Sequence, residues 1–137
     1  MERTLALIKP DAVRRGLIGN VIHRIERSQN ILITDMFMVH MTKEDAEGFY
    51  DVHKGKEFFE RLTDFMASGP CVVLLLEGKD VIDRWRIMMG ATDWEKAMTG
   101  TIRRDHGLSW VPIHENLVHG SDSPESAEYE INYFFEE

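Results

Sequence analysis

The sequence predicts an α+β fold: a ferredoxin-like split βαβ sandwich, with a four-stranded antiparallel sheet covered by helices. Two observations carry this. Short runs of branched and aromatic residues are interleaved with segments of helical periodicity. The longest unbroken apolar run, Cys71 to Leu76, is far too short to span a membrane and reads as a buried strand. At 137 residues the chain is expected to form one domain, 1–137, large enough for a hydrophobic core.

Arg3 to Ile8 reads as the first strand, stopped by Pro10. Ile18, Val21, Ile22 and Ile25 share one face at helical spacing, so an amphipathic helix follows. Ile31 to Val39 is the second strand. Thr42 to Tyr50 is a helix, with Thr42 as N-cap and Asp45 three residues on. Glu57 to Met66 is another, with Phe58, Leu62 and Phe65 on one side, broken by Ser68-Gly69-Pro70. Cys71 to Glu77 is the third strand and Asp80 to Met89 the next helix. Ala91 to Glu115 contains Gly100, Gly107 and Pro112 and shows no periodicity. It is expected to be a long functional loop. A short strand at Leu117 and Val118 leads into His119, and Ser123 to Phe134 closes the chain as a helix.

A net charge of −8 argues against a general nucleic-acid or membrane-surface binder. The start of the chain has no signal-peptide pattern. The one cysteine, Cys71, has no internal partner and sits in an apolar run, which fits a reducing cytoplasm.

The run Asn116 to Ser123, NLVHGSDS, places His119 beside Gly120. Histidine moves charge near neutral pH and can form covalent intermediates. Gly120 is expected to relieve crowding of the ring, and Ser121, Asp122 and Ser123 to cap the last helix. Lys9, Arg86 and Arg103 together resemble a phosphate clamp, because arginine's fork matches phosphate oxygens and lysine adds a point charge. Tyr50, Phe58 and Leu62 form either a core stripe or an apolar slot for a nucleobase. There is no GxxxxGK[ST] or GxGxxG loop, no GxSxG elbow and no metal-ligand cluster.

These segments together resemble one family. TLALIKPDAVRRGLIG, Phe58-Phe59, SGPCVV, MGATD, GTIRRD and NLVHGSDSPESAEYEI are similar to nucleoside diphosphate kinases, in family order from Arg3 to Phe135. The resemblance implies ping-pong transfer of a γ-phosphate from a nucleoside triphosphate to a nucleoside diphosphate. It implies His119 as the nucleophile, phosphorylated on Nδ1, Glu130 orienting its ring, and Ser121 beside it. Lys9 is implied near the γ-phosphate and Tyr50 near Lys9. Arg86, Thr92 and Arg103 are implied as phosphate contacts and Asn116 as a ribose and phosphate contact. Phe58 stacks on the base, Leu62 lines the same slot, and Gly120 lies beside the nucleotide. Mg2+ arrives on the nucleotide phosphates, with Asp122 as its one candidate contact. A homo-oligomer, tetramer or hexamer built from dimers, is implied, with no membrane and no specific nucleic acid as partner. The competing reading is a catalytically weak nucleotide-binding scaffold of the same fold.

The stretch Asp105 to Glu115, DHGLSWVPIHE, departs from the family pattern and is longer than in many members. Trp110, Val111 and Ile113 are the candidates there for lining the base site. Met98-Thr99-Gly100 replaces the proline often found before the GTIR segment. The longer C-terminal extension of many members is expected to be missing.

Overall fold

A computed structural model describes residues 1–135. Four strands, β1 (Glu2–Ile8), β2 (Leu32–Val39), β3 (Cys71–Gly78) and β4 (Val118–Gly120), form one sheet in the order β2-β3-β1-β4. Every neighbouring pair is antiparallel, as the split βαβ reading expects.

The two central strands are apolar on both sides because helices cover both faces. On β1, Leu5 and Leu7 face one core and Ala6 and Ile8 the other; on β3, Val73 and Leu75 oppose Val72 and Leu74 in the same way. The first core is filled by α3 (Lys43–Phe49), α4 (Phe59–Met66) and α7 (Pro124–Phe135). The second is filled by α2 (Ile18–Arg27) and α5 (Val81–Met89), whose Trp85 is fully buried. This alternation has period two, so a one-residue slip would swap the two cores.

Capping explains several boundaries. Thr42 caps α3 through a reciprocal pair: Thr42 Oγ1 accepts from Asp45 N, and Asp45 Oδ2 accepts from Thr42 N, both at 3.0 Å. Ser123 alone of the three expected residues caps α7. Its Oγ accepts from Ser126 N at 3.1 Å, and Pro124 supplies a preset φ at the first helical position.

Two further helices appear where none was expected. Pro10 ends β1 and then starts α1 (Pro10–Arg14), because proline needs no N–H partner in a first turn. Within the stretch expected to be an irregular loop lie a 3-10 turn at Trp94–Lys96 and α6 (Ile102–His106). Thr101 Oγ1 caps α6 by accepting from Arg104 N. Five residues are too few to show helical periodicity in sequence.

β2 is an edge strand with a register shift between Ile33 and Asp35. It leaves Leu32, Met36 and Met38 largely exposed.

Candidate active site

β4 is only three residues long, yet it fixes the histidine's position. Leu7 pairs with His119 and Ala6 with Gly120. The approach to β4 is a tight three-residue turn: Val118 N donates to Asn116 O at 2.9 Å, with Leu117 at φ +80°. A leucine at positive φ is strained, at a cost of about 1–3 kcal/mol. Its two backbone groups are clamped. Leu117 N donates to Asp11 Oδ2 at 3.1 Å, and Leu117 O accepts from Lys9 N at 2.9 Å. The KPD segment thus braces the histidine loop as well as supplying Lys9.

Trp85 Nε1 donates to His119 O at 3.0 Å. A Cβ on Gly120 would stand 2.5 Å from Trp85 Cδ1. Gly120 is therefore required by the α5 indole.

Glu130, two turns into α7, receives the ring. His119 Nε2 lies 2.8 Å from Glu130 Oε1, with both side chains largely enclosed. A carboxylate only accepts, so Nε2 carries the proton, and in the neutral ring Nδ1 keeps the lone pair. Ser121 Oγ donates to the same Glu130 oxygen at 2.9 Å and accepts from Leu5 N at 3.3 Å. The ring packs edge-on to Phe49 and Tyr50, with centroids 5.2 and 5.8 Å away.

The cations gather around this ring in one cleft. Lys9, Arg86, Arg103, Thr92, Asn116, Gly120 and Asp122 line it with His119. Lys9 is buried, and Nζ donates to His114 O at 3.1 Å and to Asn116 Oδ1 at 2.8 Å. Burial, then the nearby Arg103 charge, pulls its pKa down to about 7. Arg103 is also buried, and its pKa is held down to about 10 by burial and Arg86, so it stays charged at neutral pH. Its Nε, Nη1 and Nη2 donate to Asn116 O, Gly90 O and Val118 O at 3.2, 3.0 and 2.7 Å. The guanidinium thus ties three backbone segments together and keeps two N–H groups for a ligand. Arg86 is exposed on α5. Asn116 Nδ2 donates to Thr92 O at 3.3 Å.

Tyr50 is buried, and among the described residues its hydroxyl has no hydrogen-bond partner. Burial and the Glu130 charge raise its pKa well above the ordinary phenol value. Farther out, Phe58 and Leu62 line the cleft; Phe58 is 41% exposed and Leu62 is buried beneath it. Ile113 lines this cleft and also the neighbouring pocket that Val111 lines, while Trp110 stands 78% exposed.

Sequence reasoning gave no role to His53, Lys56, Asp11 or Trp85. His53 stacks near Tyr50 and meets Phe58 edge-on at 5.2 Å, and Lys56 Nζ sits 3.1 Å from its Nδ1. Burial and the charges of Lys56 and His119 lower the His53 pKa. Only the KPD segment signalled any of these in advance.

The profile of the family described as nucleoside diphosphate kinase matches residues 2–137. The chain belongs to the nucleoside diphosphate kinase family. The nucleoside diphosphate kinase of Desulfosudis oleivorans is 55% identical over 135 residues, covering 98% of this chain and 94% of that one. That of Geotalea uraniireducens is 54% identical, covering 98% and 96%. The solved Aquifex aeolicus nucleoside diphosphate kinase superposes with TM-score 0.91 at 42% identity, covering 98% of this chain and 94% of that one. The Encephalitozoon cuniculi enzyme gives 0.92 at 35%, covering 100% and 90%. The protein is a nucleoside diphosphate kinase, a phosphotransferase acting on nucleotides. Every residue that the kinase resemblance implied lines the cleft, except Ser121, which reaches it through Glu130.

Proposed function

We propose that the kinase works by ping-pong transfer through a phosphohistidine on His119 Nδ1. The observation that carries this is the His119 Nε2 to Glu130 Oε1 bond, which commits one ring nitrogen and leaves the other as the lone-pair atom. In the forward half-reaction the Nδ1 electron pair attacks the γ-phosphorus. The bond to the bridging oxygen breaks, and its electron pair leaves with the nucleoside diphosphate. No proton leaves Nδ1, so the ring becomes cationic while Nε2–H remains on Glu130, whose charge offsets it. Lys9, Arg86 and Arg103 meet the phosphate oxygens, with Thr92 and Asn116 completing the cradle. Two shorter covalent steps replace one, and the protein's main work is alignment. Phe58, Leu62 and Ile113 hold the base by apolar contact without a hydrogen-bond code. That supports acceptance of purine and pyrimidine diphosphates alike, and so supply of GTP, UTP, CTP and the deoxynucleoside triphosphates.

Mg2+ fits as a passenger on the phosphates. Among the described residues no group of three or more His, Cys, Asp or Glu could hold a metal. Of the two carboxylates that line the cleft, Glu130 is engaged by His119 and Ser121, and Asp122 faces the phosphate side as the candidate contact. It is exposed at the cleft, is steered by Ser126 Oγ at 2.6 Å, and the bond from Ser126 keeps its pKa low. Magnesium tolerates such a site because it keeps phosphate and water ligands. When bound it would neutralise charge on the transferring phosphates.

The reading extends to a cytoplasmic homo-oligomer, tetramer or hexamer built from dimers, without a membrane or specific nucleic-acid partner. The exposed Leu32, Met36 and Met38 on edge strand β2 support assembly, since unpaired apolar edges are normally covered. Sedimentation at micromolar concentration tests it; a monomer would overturn it. Cys71 is buried, and burial pushes its thiol up to about 12, so it behaves as an inert hydrophobe. Among the described residues no helix is long and apolar enough to cross a membrane.

The deciding test for the mechanism is incubation with γ-labelled ATP, with and without His119→Ala. The wild-type chain should gain an acid-labile, base-stable label that GDP or UDP discharges, and the variant should gain none. Undiminished labelling of the variant would sink the proposal.

A further inference from the structure

The wall of the cleft supplied by the long stretch before Asn116 holds a residue that acts in two places. His114 lines the cleft with Leu62 and Ile113. Its ring packs on Phe65 of α4, with centroids 6.0 Å apart at 58°. Phe65 is itself fixed: Arg14 stands over its ring at 5.9 Å and donates to Ser68 Oγ at 3.2 Å, whose hydroxyl donates to Phe65 O at 2.6 Å. Among the described residues none hydrogen-bonds the His114 ring. It is therefore held by packing. The main-chain carbonyl of the same residue accepts from Lys9 Nζ at 3.1 Å.

Where that carbonyl stands decides where the Lys9 ammonium stands. Lysine has a flexible stem, and a buried ammonium follows its acceptors. The second acceptor, Asn116 Oδ1, is already anchored through Thr92 O. The free variable is thus the His114 carbonyl, and the ring of this residue fastens it to α4 through Phe65.

We propose that His114 is a positioning residue that couples the base slot to Lys9: its ring seats the slot wall on Phe65, and its carbonyl thereby sets the ammonium against the phosphates. This rests on the reading of the cleft as the nucleotide site. A group that only lined the slot would change binding. A group that also places Lys9 must change the transfer step, because small misplacements of a positioning group are costly in rate.

Single-turnover labelling of His119 by γ-labelled ATP separates these, measured for wild type, His114→Ala and His114→Phe across ATP concentrations. For His114→Ala, the half-saturating ATP concentration should rise and the saturating rate should fall, each by about tenfold. His114→Phe keeps an aromatic ring on Phe65 and should restore both to within about threefold of wild type. A rise in half-saturation alone, no change in either quantity, or failure of the phenylalanine to restore would each overturn the proposal. The phenylalanine variant keeps the core contact, so a misfolded alanine variant does not leave the question undecided. If the wild-type chain takes no label on His119, the reading of the cleft fails instead.

Discussion

Replacing Lys9 with methionine should make the kinase more stable and inactive at once. The ammonium is buried, and its pKa falls from 10.5 to about 7, first through burial and then through Arg103. At about 1.4 kcal/mol per tenfold the whole fall is worth roughly 5 kcal/mol against folding, and about 4 kcal/mol of it is felt at pH 7, where half of the folded chains have shed the proton. Methionine has a similar length and no charge. Its introduction leaves His114 O and Asn116 Oδ1 without their donor, at a cost of about 1 kcal/mol each where the cleft admits water. The net expectation is a gain of about 2 kcal/mol near pH 7. The sign of the pH dependence follows from proton counting. Between the folded value of about 7 and the unfolded value of 10.5, the unfolded chain holds a proton that the folded chain has released. Wild-type stability therefore rises with pH across that window, and the penalty is complete below it. Urea unfolding at about pH 7 and about pH 10, at one protein concentration, tests this. The variant's advantage should shrink as pH rises and become a deficit of about 1 kcal/mol near pH 10, where most of the wild-type penalty is gone. A variant less stable than wild type near pH 7, or a gap indifferent to pH, would refute the reasoning. Such a trade of stability for function is expected where a site holds a desolvated charge.

Other perturbations follow from the same geometry. Gly120→Ala puts a methyl into the Trp85 indole and should cost about 1–3 kcal/mol, read as a lower Tm. Arg103→Lys cannot reach three carbonyls at once; its urea midpoint should drop by the equivalent of about 2 kcal/mol, and an unchanged midpoint would contradict the tethering role. Glu130→Gln keeps an acceptor but removes the charge opposite the ring. Labelling of His119 should slow by about tenfold to a hundredfold with half-saturating ATP little changed, and an equal rise in half-saturation would assign Glu130 to binding instead.

Much of this architecture is legible in the amino-acid sequence, for identifiable reasons. The strands and α2 are long enough to show their period, and the Thr42–Asp45 box marks the start of α3 unambiguously. α6 and the Trp94 turn are hidden because they are shorter than one clear period; only the Thr101 cap betrays α6. The site is legible because its residues fall in dense, spaced motifs. The reasons for some of them are not. Gly120 reads locally as room for the neighbouring histidine, and nothing local shows that Trp85, thirty-five positions earlier in the chain, also requires it. Arg103 looks like a free phosphate ligand, and it spends most of its donors on backbone. Contacts between residues distant in sequence leave no local trace, so the partnership of His114 with Phe65 and Lys9 had no signal at all.

The tie made by Arg103 also bears on how such a chain changes over evolutionary time. It joins the start of the 104–115 stretch to its end, at Asn116 O and Val118 O, with Gly90 as a third post. Residues gained or lost between those posts lengthen a loop already closed at its base, which costs little because closure entropy grows only slowly with length. The catalytic histidine keeps its register against Leu7 whatever the loop does. Insertions there can remodel the wall that meets the base while the phosphate chemistry stays put. The family can thus try new substrate surfaces one indel at a time.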